Sequence, residues 1–416
     1  MASLWIRNGT LIDGTGRPPV HNAAVLIEDN RIRAVGRADS ISRPANGAVE
    51  VDAQGGFILP GLIDTHVHLM FEIGDMRQAI VRPFSLNFYR AIPFLRKTID
   101  AGVTTVRDAG GADLGVKQAV DQGLIVGPRM QISITALGIT GGHTDGWMPS
   151  GAAYNLFPEY PGNPNGICDG VEGVRKKVRE VLRAGAEVVK ICSTGGVLSP
   201  TDHPEFTQFS PEELAVIVQE ARYRRNTKVM AHAQGAEGIK NAVRAGIHSI
   251  EHGIYLDDEA IELMRQHGTF LVPTLLAPLS VLEQAEASPG AMPEYGIRKA
   301  HEVIEIHRDS IAAAYRAGVK IAMGTDAGVM PHGTNLRELG LMSGIGMSAM
   351  EAIVATTQTA ATVLGWQDEI GTLESGKLAD VIITRTDPLA DIRSLEIADN
   401  IPVVVKDGQI VKDRRG

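Results

Sequence analysis

The pentapeptide Asp64-Thr65-His66-Val67-His68 follows an apolar run, Phe57-Ile58-Leu59-Pro60-Gly61-Leu62-Ile63. Strand side chains alternate in direction, so positions i and i+2 share a face about 6.6 Å apart along the strand. His66 and His68 would therefore project together from a strand end, and converging neutral imidazoles bind divalent metal ions well. Two packed or surface histidines would be spelled the same way. Three more apolar runs end in similar chemistry: Val229-Met230-Ala231-His232, Ser249-Ile250-Glu251-His252-Gly253 and Ile321-Ala322-Met323-Gly324-Thr325-Asp326. A further run, Glu187-Val188-Val189-Lys190-Ile191-Cys192, carries a lysine, and an ammonium ion in an apolar strand is costly. Either Lys190 pairs with a carboxylate, or burial keeps its amine neutral and able to add CO₂. The carbamate so formed would be an anionic oxygen ligand able to bridge two metals about 3.5–4 Å apart, as two-metal hydrolases require.

Such residues act together only if the elements bring their ends to one place. Apolar runs lie near 58–66, 103–107, 130–135, 187–192, 227–232, 247–251, 269–273 and 319–324, with helical patterns between most of them, as at 171–184, 212–225, 257–267 and 297–317. Alternating strand and helix over some 300 residues reads as parallel βα units, and eight units read as a (β/α)₈ TIM barrel over residues 58–365. A doubly wound open sheet is the competing architecture. In a barrel the C-terminal ends of the strands share one mouth, which would gather the four histidines, Lys190 and Asp326.

Both ends of the chain have another texture. Residues 1–57 and 366–416 hold short β-rich runs, such as Ala24-Val25-Leu26-Ile27 and Val403-Val404-Val405, broken by turn signals such as Asn8-Gly9, Asp13-Gly14 and Lys406-Asp407-Gly408. Neither end has enough strands for a stable sheet, so one small β-sandwich built from both termini is expected. Ser210-Pro211-Glu212-Glu213 and Ser348-Ala349-Met350-Glu351 are helix starts with capping boxes. The second accounts for Gly344-Ile345-Gly346-Met347-Ser348-Ala349, which imitates a dinucleotide-binding loop but has no strand before it. Segment 146–170, with Trp147, Tyr154, Phe157 and Tyr160 among prolines and glycines, interrupts the rhythm and reads as a lid or specificity loop, or as aromatics pinning a loop.

The composition narrows the class. The 416 residues carry 40 basic and 49 acidic side chains, a net charge of −9, which argues against a nucleic-acid partner. Two cysteines, Cys168 and Cys192, lie far apart, which excludes a disulfide framework and a cysteine zinc site. The start lacks the apolar core of a signal peptide and no window holds 18 uninterrupted apolar residues, so no membrane association and a cytoplasmic setting are expected.

The series His66-Val67-His68, Lys190, His232, His252 and Asp326, in that order, resembles the amidohydrolase superfamily, and the likeness covers essentially the whole chain. Gly61-Leu62-Ile63-Asp64 and Gly376-Lys377-Leu378-Ala379-Asp380 resemble its imidazolonepropionase-like and prolidase-like branch. Thr105-Val106-Arg107-Asp108-Ala109-Gly110-Gly111, Gly141-Gly142-His143 and Ser199-Pro200-Thr201-Asp202 resemble the dipeptidase and ochratoxinase-like group within it. Imidazolonepropionase lacks the bridging lysine, so Lys190 argues against that activity.

The resemblance implies a metal-dependent hydrolase of amide bonds in dipeptides or N-acyl amino acids, ochratoxin-type amides included. His66, His68 and Asp326 would hold one divalent ion, His232 and His252 a second, and carboxylated Lys190 would bridge both beside a hydroxide. Zinc suits this ligand set. Asp326 would move the proton from that hydroxide to the leaving amine. His143 would polarise the scissile carbonyl or be a surface loop residue, Tyr255 would line the pocket, and His332 would touch the substrate or be a loop residue. Several dipeptidases of the group have a tyrosine two residues after the fifth-strand histidine, where this chain has Gln234. A cyclic-amide or ester hydrolase is the alternative enzyme, and a metal-free scaffolding homologue, which should have broken ligand positions, is the alternative outside catalysis. The expected partners are a small amide substrate and further copies of the chain, as a homo-oligomer.

Overall fold

The computed structural model describes residues 3–42, 47–74, 80–290 and 292–415. The chain opens with β1 (Ser3–Leu11), β2 (Val20–Glu28), β3 (Arg31–Arg37), β4 (Val49–Asp52) and β5 (Phe57–Pro60). It continues through β6 (Leu62–Val67), β7 (Val103–Asp108), β8 (Arg129–Ile132), β9 (Ala136–Leu137), β10 (Val188–Cys192), β11 (Lys228–Ala233), β12 (Ser249–His252) and β13 (Phe270–Val272). It ends with β14 (Val381–Thr384), β15 (Val403–Lys406) and β16 (Gln409–Asp413).

The two chain ends share one eight-stranded sheet, ordered β16-β15-β14-β5-β1-β2-β3 with β4 on β1. The join is the antiparallel pairing of β5 with β14, which sets Leu59 opposite Ile382 and Ile58 opposite Ile383. Alternation then works as the sequence pattern requires. Ile6, Val25, Ile27, Ile58, Val381, Ile383 and Val405 meet in one buried cluster inside this sheet. Ile382, Val404 and Leu59, on the other face, join the main core of the molecule.

β6 to β13 are parallel and form two ladders, β6-β7-β8 and β9-β10-β11-β12-β13. The apolar run at 58–66 is therefore two strands rather than one. It breaks at Gly61, where a Cβ would stand 2.1 Å from Thr104 Oγ1, so only glycine lets the chain pass from one sheet to the other. The run at 130–135 also breaks: β8 stops at Ile132, Ile134 has a φ of 71° that is incompatible with a continuous strand, and β9 begins beyond the run at Ala136. The run at 319–324 forms no regular strand. It makes isolated parallel bridges, Leu271↔Ile321 on one side and Val67↔Ala327 on the other, and Thr65 N–H donates to Met323 O at 3.0 Å. Glu187 N–H donates to Ile132 O at 2.8 Å, which ties the two ladders together between β8 and β10.

Helices pack outside these strands. Among them are α1 (Leu86–Asp100), α2 (Leu114–Asp121), α3 (Gly170–Ala184), α4 (Pro211–Tyr223), α5 (Ala236–Ala245), α6 (Asp258–His267), α7 (Leu276–Ala287) and α8 (Glu294–Arg316). The helical patterns at 171–184, 212–225, 257–267 and 297–317 thus become α3, α4, α6 and α8 with ends shifted by up to three residues. Ser210 caps α4 reciprocally with Glu213: Glu213 N–H donates to Ser210 Oγ at 3.3 Å and Ser210 N–H to Glu213 Oε2 at 2.6 Å. Ser348 does the same with Glu351 at the start of a later helix, which disposes of a phosphate-binding loop there. No helix among the described residues is long and apolar enough to cross a membrane.

Candidate metal centre

β6 carries His66 one residue before its end, His68 follows just beyond it, and the two rings lie 5.6 Å apart. The loop after the last apolar run brings Asp326 to them: its Oδ1 lies 3.4 Å from His66 Nε2 and 3.1 Å from His68 Nε2. Asp64 holds that loop against the strand end, accepting from Thr325 Oγ1 at 2.6 Å and Asn335 Nδ2 at 2.8 Å. His66, His68 and Asp326 each offer a ligand atom within 4.8 Å of the others, close enough to share one cation.

The remaining expected ligands join the same cluster. Lys190 Nζ, on β10, is 3.5 Å from His66 Nε2. His252, closing β12, has its ring 5.1 Å from that of His66, and His232, on β11, lies 4.5 Å beyond. β10, β11 and β12 are neighbours in register, with Cys192 opposite His232 and Ala233 opposite His252, which is why residues so far apart in sequence meet. All six side chains expected to bind metal are thus gathered at one place.

Each imidazole has one nitrogen committed to the protein. His66 Nδ1 donates to Glu251 Oε2 at 2.8 Å, His68 Nδ1 to Gly110 O at 2.9 Å and His232 Nε2 to Gly195 O at 3.0 Å. A carboxylate or carbonyl can only accept, so the bonded nitrogen carries the proton and the other keeps its lone pair. His252 Nδ1 is hydrogen-bonded to Thr274 Oγ1 at 2.7 Å, leaving Nε2. Burial, with the neighbouring Lys190, pushes His66 well below the ordinary imidazole range. Burial also depresses His232 and His252, reinforced by the rings facing them. Burial lowers Lys190 against the pull of Glu251 and Asp326. Asp326 stays ionised because His66, His68 and Lys190 outweigh its burial. Imidazoles that each leave one ring nitrogen uncommitted, a depressed lysine and a carboxyl held in its low range are the donor set a divalent cation needs, so these residues fit a metal site. Strain accompanies the cluster. His252 and Asp326, neither of them glycine, sit at φ 75° and 66°.

His143 is drawn in too. Its ring stacks on His232 with centroids 4.2 Å apart. Its Nδ1 is 2.8 Å from Ser199 Oγ, which in turn makes a very short hydrogen bond to Asp202. Asp202 Oδ2 is 3.7 Å from the same ring nitrogen, and despite burial the hydrogen bonds and charge of His143 hold this carboxyl down at about 2. Lys299 of α8 secures the loop from behind, donating to Gly196 O at 2.9 Å, Ser199 O at 2.8 Å and Asp202 O at 2.6 Å. Tyr255 is half-buried beside Gln234, to whose carbonyl its N–H donates at 2.8 Å, and burial raises its phenol. His332 is buried, stacks on Phe94 at 4.8 Å and contacts Phe71 O through Nε2 at 3.0 Å, a bracing position rather than a place in the row of rings.

Sequence reasoning passed over the residues that hold the ligands. Arg107, fully buried, reaches Glu251 Oε1 at 2.9 Å, Ser249 Oγ at 3.1 Å and Thr65 O at 2.7 Å. Glu251 next to His252 is a signal that alternation alone could have raised. Neighbours on a strand face opposite ways, so a charge beside a ligand must have its own buried partner.

The amidohydrolase family profile matches residues 57–411. The ochratoxinase of Aspergillus niger is 36% identical over 418 residues, covering 97% of this chain and 85% of that protein, and its crystal structure superposes with a TM-score of 0.86. A Xaa-Pro dipeptidase solved with methionine in its active site is 36% identical, covers 99% of this chain and 100% of its own, and has a TM-score of 0.89. A prolidase complexed with N-methylphosphonate-L-proline, 33% identical, covers 99% of this chain and 100% of its own with a TM-score of 0.91. The match to the family spans most of the chain and includes every residue of the cluster just described, so the chain belongs to the amidohydrolase family and is a hydrolase.

Proposed function

We propose that the protein hydrolyses the amide bond of dipeptides or N-acyl amino acids with the help of two divalent cations, zinc as first choice. The observation that carries this reading is the meeting of Lys190 Nζ, His66 Nε2 and Asp326 Oδ1 within 3.5 Å steps, beside His232 and His252. When bound, the cations supply an ionised water as nucleophile near neutral pH. The arrangement fits parallel strands closed into a (β/α)₈ barrel, with the sheet of both termini as a second unit. The likeness to an ochratoxinase and to a prolidase supports an amino-acid amide as the substrate.

The chain's own residues divide the work. His66, His68 and Asp326 would hold one cation and His232 and His252 the other. Lys190, whose ammonium form burial disfavours, would add CO₂ with loss of a proton, and the carbamate would supply oxygen donors to the cations. Asp326 accepts the proton released on attack and returns it to the departing amine. His143, with Asp202 3.7 Å from Nδ1, is placed to hydrogen-bond the carbonyl oxygen from Nε2. Ser199 and Lys299 keep that ring in place.

The test is a hydrolysis screen of dipeptides and N-acyl amino acids on protein stripped of metal and reloaded with zinc or manganese, alongside metal analysis. About two divalent ions per chain and metal-dependent amide cleavage are expected. Full activity in metal-free protein would overturn the reading.

A further inference from the structure

Phe71 and Phe157 stand against His68 although neither side chain takes part in the hydrogen bonding of the cluster. Phe71, just after β6, stacks on the His68 ring with centroids 5.1 Å apart and planes at 21°. Phe157, from the irregular stretch before α3, tilts against the same ring at 5.6 Å. The two phenyl rings are themselves 6.1 Å apart, so the three form one wall. Glycines admit them. A Cβ on Gly110 would stand 2.8 Å from Phe157 Cε1, and one on Gly328 would stand 3.3 Å from Phe71 Cε2.

Both phenyl rings are only partly buried. Apolar surface left open beside a polar cluster gains free energy when another apolar group covers it. Pinning the segment does not explain Phe157, because Tyr160 does that, packed on Phe84 at 4.9 Å and Phe88 at 5.8 Å.

The wall also has a direction. The rings run His143, His232, His252, His66, His68 and then Phe71 with Phe157. His143, the carbonyl-binding candidate, marks one end. Asp326, 3.1 Å from His68 Nε2 and assigned to the departing amine, marks the end where the phenyl rings are. We propose that Phe71 and Phe157 form a subsite for the apolar, above all aromatic, side chain on the amine side of the cleaved bond. The assignment of sides rests on the amide-hydrolase reading given above.

Two measurements test it. The first is calorimetric titration of L-phenylalanine and of glycine into the metal-loaded protein and its Phe71→Ala and Phe157→Ala variants. L-phenylalanine should bind the unaltered protein about tenfold tighter than glycine, and each variant should lose most of that preference. Equal binding of the two amino acids, or a preference that survives both substitutions, overturns the subsite. The second is the ratio of kcat/KM for Gly-Phe over Phe-Gly, which should exceed one and shrink in both variants; a ratio below one, or one that the variants leave unmoved, overturns the amine-side placement. If an alanine variant melts early, Phe157→Leu keeps the packing volume and should still lower the preference. A protein that cleaves no amide, yet prefers L-phenylalanine in a ring-dependent way, would refute the amide-hydrolase reading and leave the subsite standing.

Discussion

Glu251 Oε2 lies 2.8 Å from His66 Nδ1, with both side chains fully buried, and Arg107 holds the other oxygen of the same carboxylate at 2.9 Å. A charge in the strand interior thereby aims a ring at the candidate metal centre. Glu251→Gln should weaken metal binding about 10–100-fold, the usual effect of losing a partner behind a ligand. It should also destabilise the metal-free protein by about 3–5 kcal/mol, because Arg107 is left as an uncompensated buried charge. Competition titration with a chelator and denaturant unfolding check the two effects separately. Unchanged metal affinity would reduce Glu251 to a folding residue.

Lys190 is buried 3.5 Å from His66 Nε2, and burial depresses its ammonium form. Lys190→Ala should lose bound metal and turnover together while keeping the fold, since Glu251 keeps Arg107 and His66 as partners. Metal analysis and circular dichroism read both. Retained turnover would show that the lysine is structural.

Asp326 faces His66 and His68 and remains ionised in spite of its burial. Asp326→Asn should preserve the fold and cut kcat by at least about a hundredfold, the scale of lost proton transfer. A rate near that of the unaltered protein would remove its assigned role.

His143 and Asp202 act as one unit across Ser199. Asp202→Asn should lower kcat/KM about 10–100-fold with little loss of metal, because it changes the orientation of a hydrogen-bond donor and not a ligand. Parallel metal analysis separates this from damage to the centre.

Glu338, next to the start of α7, accepts from Leu275 and Leu276 N–H, each at 2.8 Å. Burial outweighs both bonds and pushes its carboxyl up to about 8 from the ordinary 4.5. A group raised in the folded state contributes stability that is fully present below 4.5 and is lost as pH rises through about 8. Glu338→Gln, which mimics the protonated carboxyl, should gain stability relative to the unaltered protein between those pH values. The difference between the two melting temperatures, followed against pH, checks this, and a flat difference would place the ordinary carboxyl range at Glu338.

Much of the site was legible from local pattern. An alternating strand puts His66 and His68 on one side, apolar runs end at His232, His252 and Asp326, and capping boxes mark Ser210 and Ser348 as helix starts. These signals are short-range: pleat, turn and cap act within a few residues. The splits at Gly61 and Ile134 escaped the pattern because apolar periodicity does not record a close backbone approach or a positive φ. What only the tertiary structure decided is which groups stand behind the ligands and beside them. Glu251 meets His66 across 185 positions and Lys299 reaches Ser199 across 100, while Phe157 turns to His68 and its neighbour Tyr160 turns to α1. Such contacts follow from how strands and helices pack around a shared core, a global balance of burial and hydrogen bonding that no local stretch of sequence encodes.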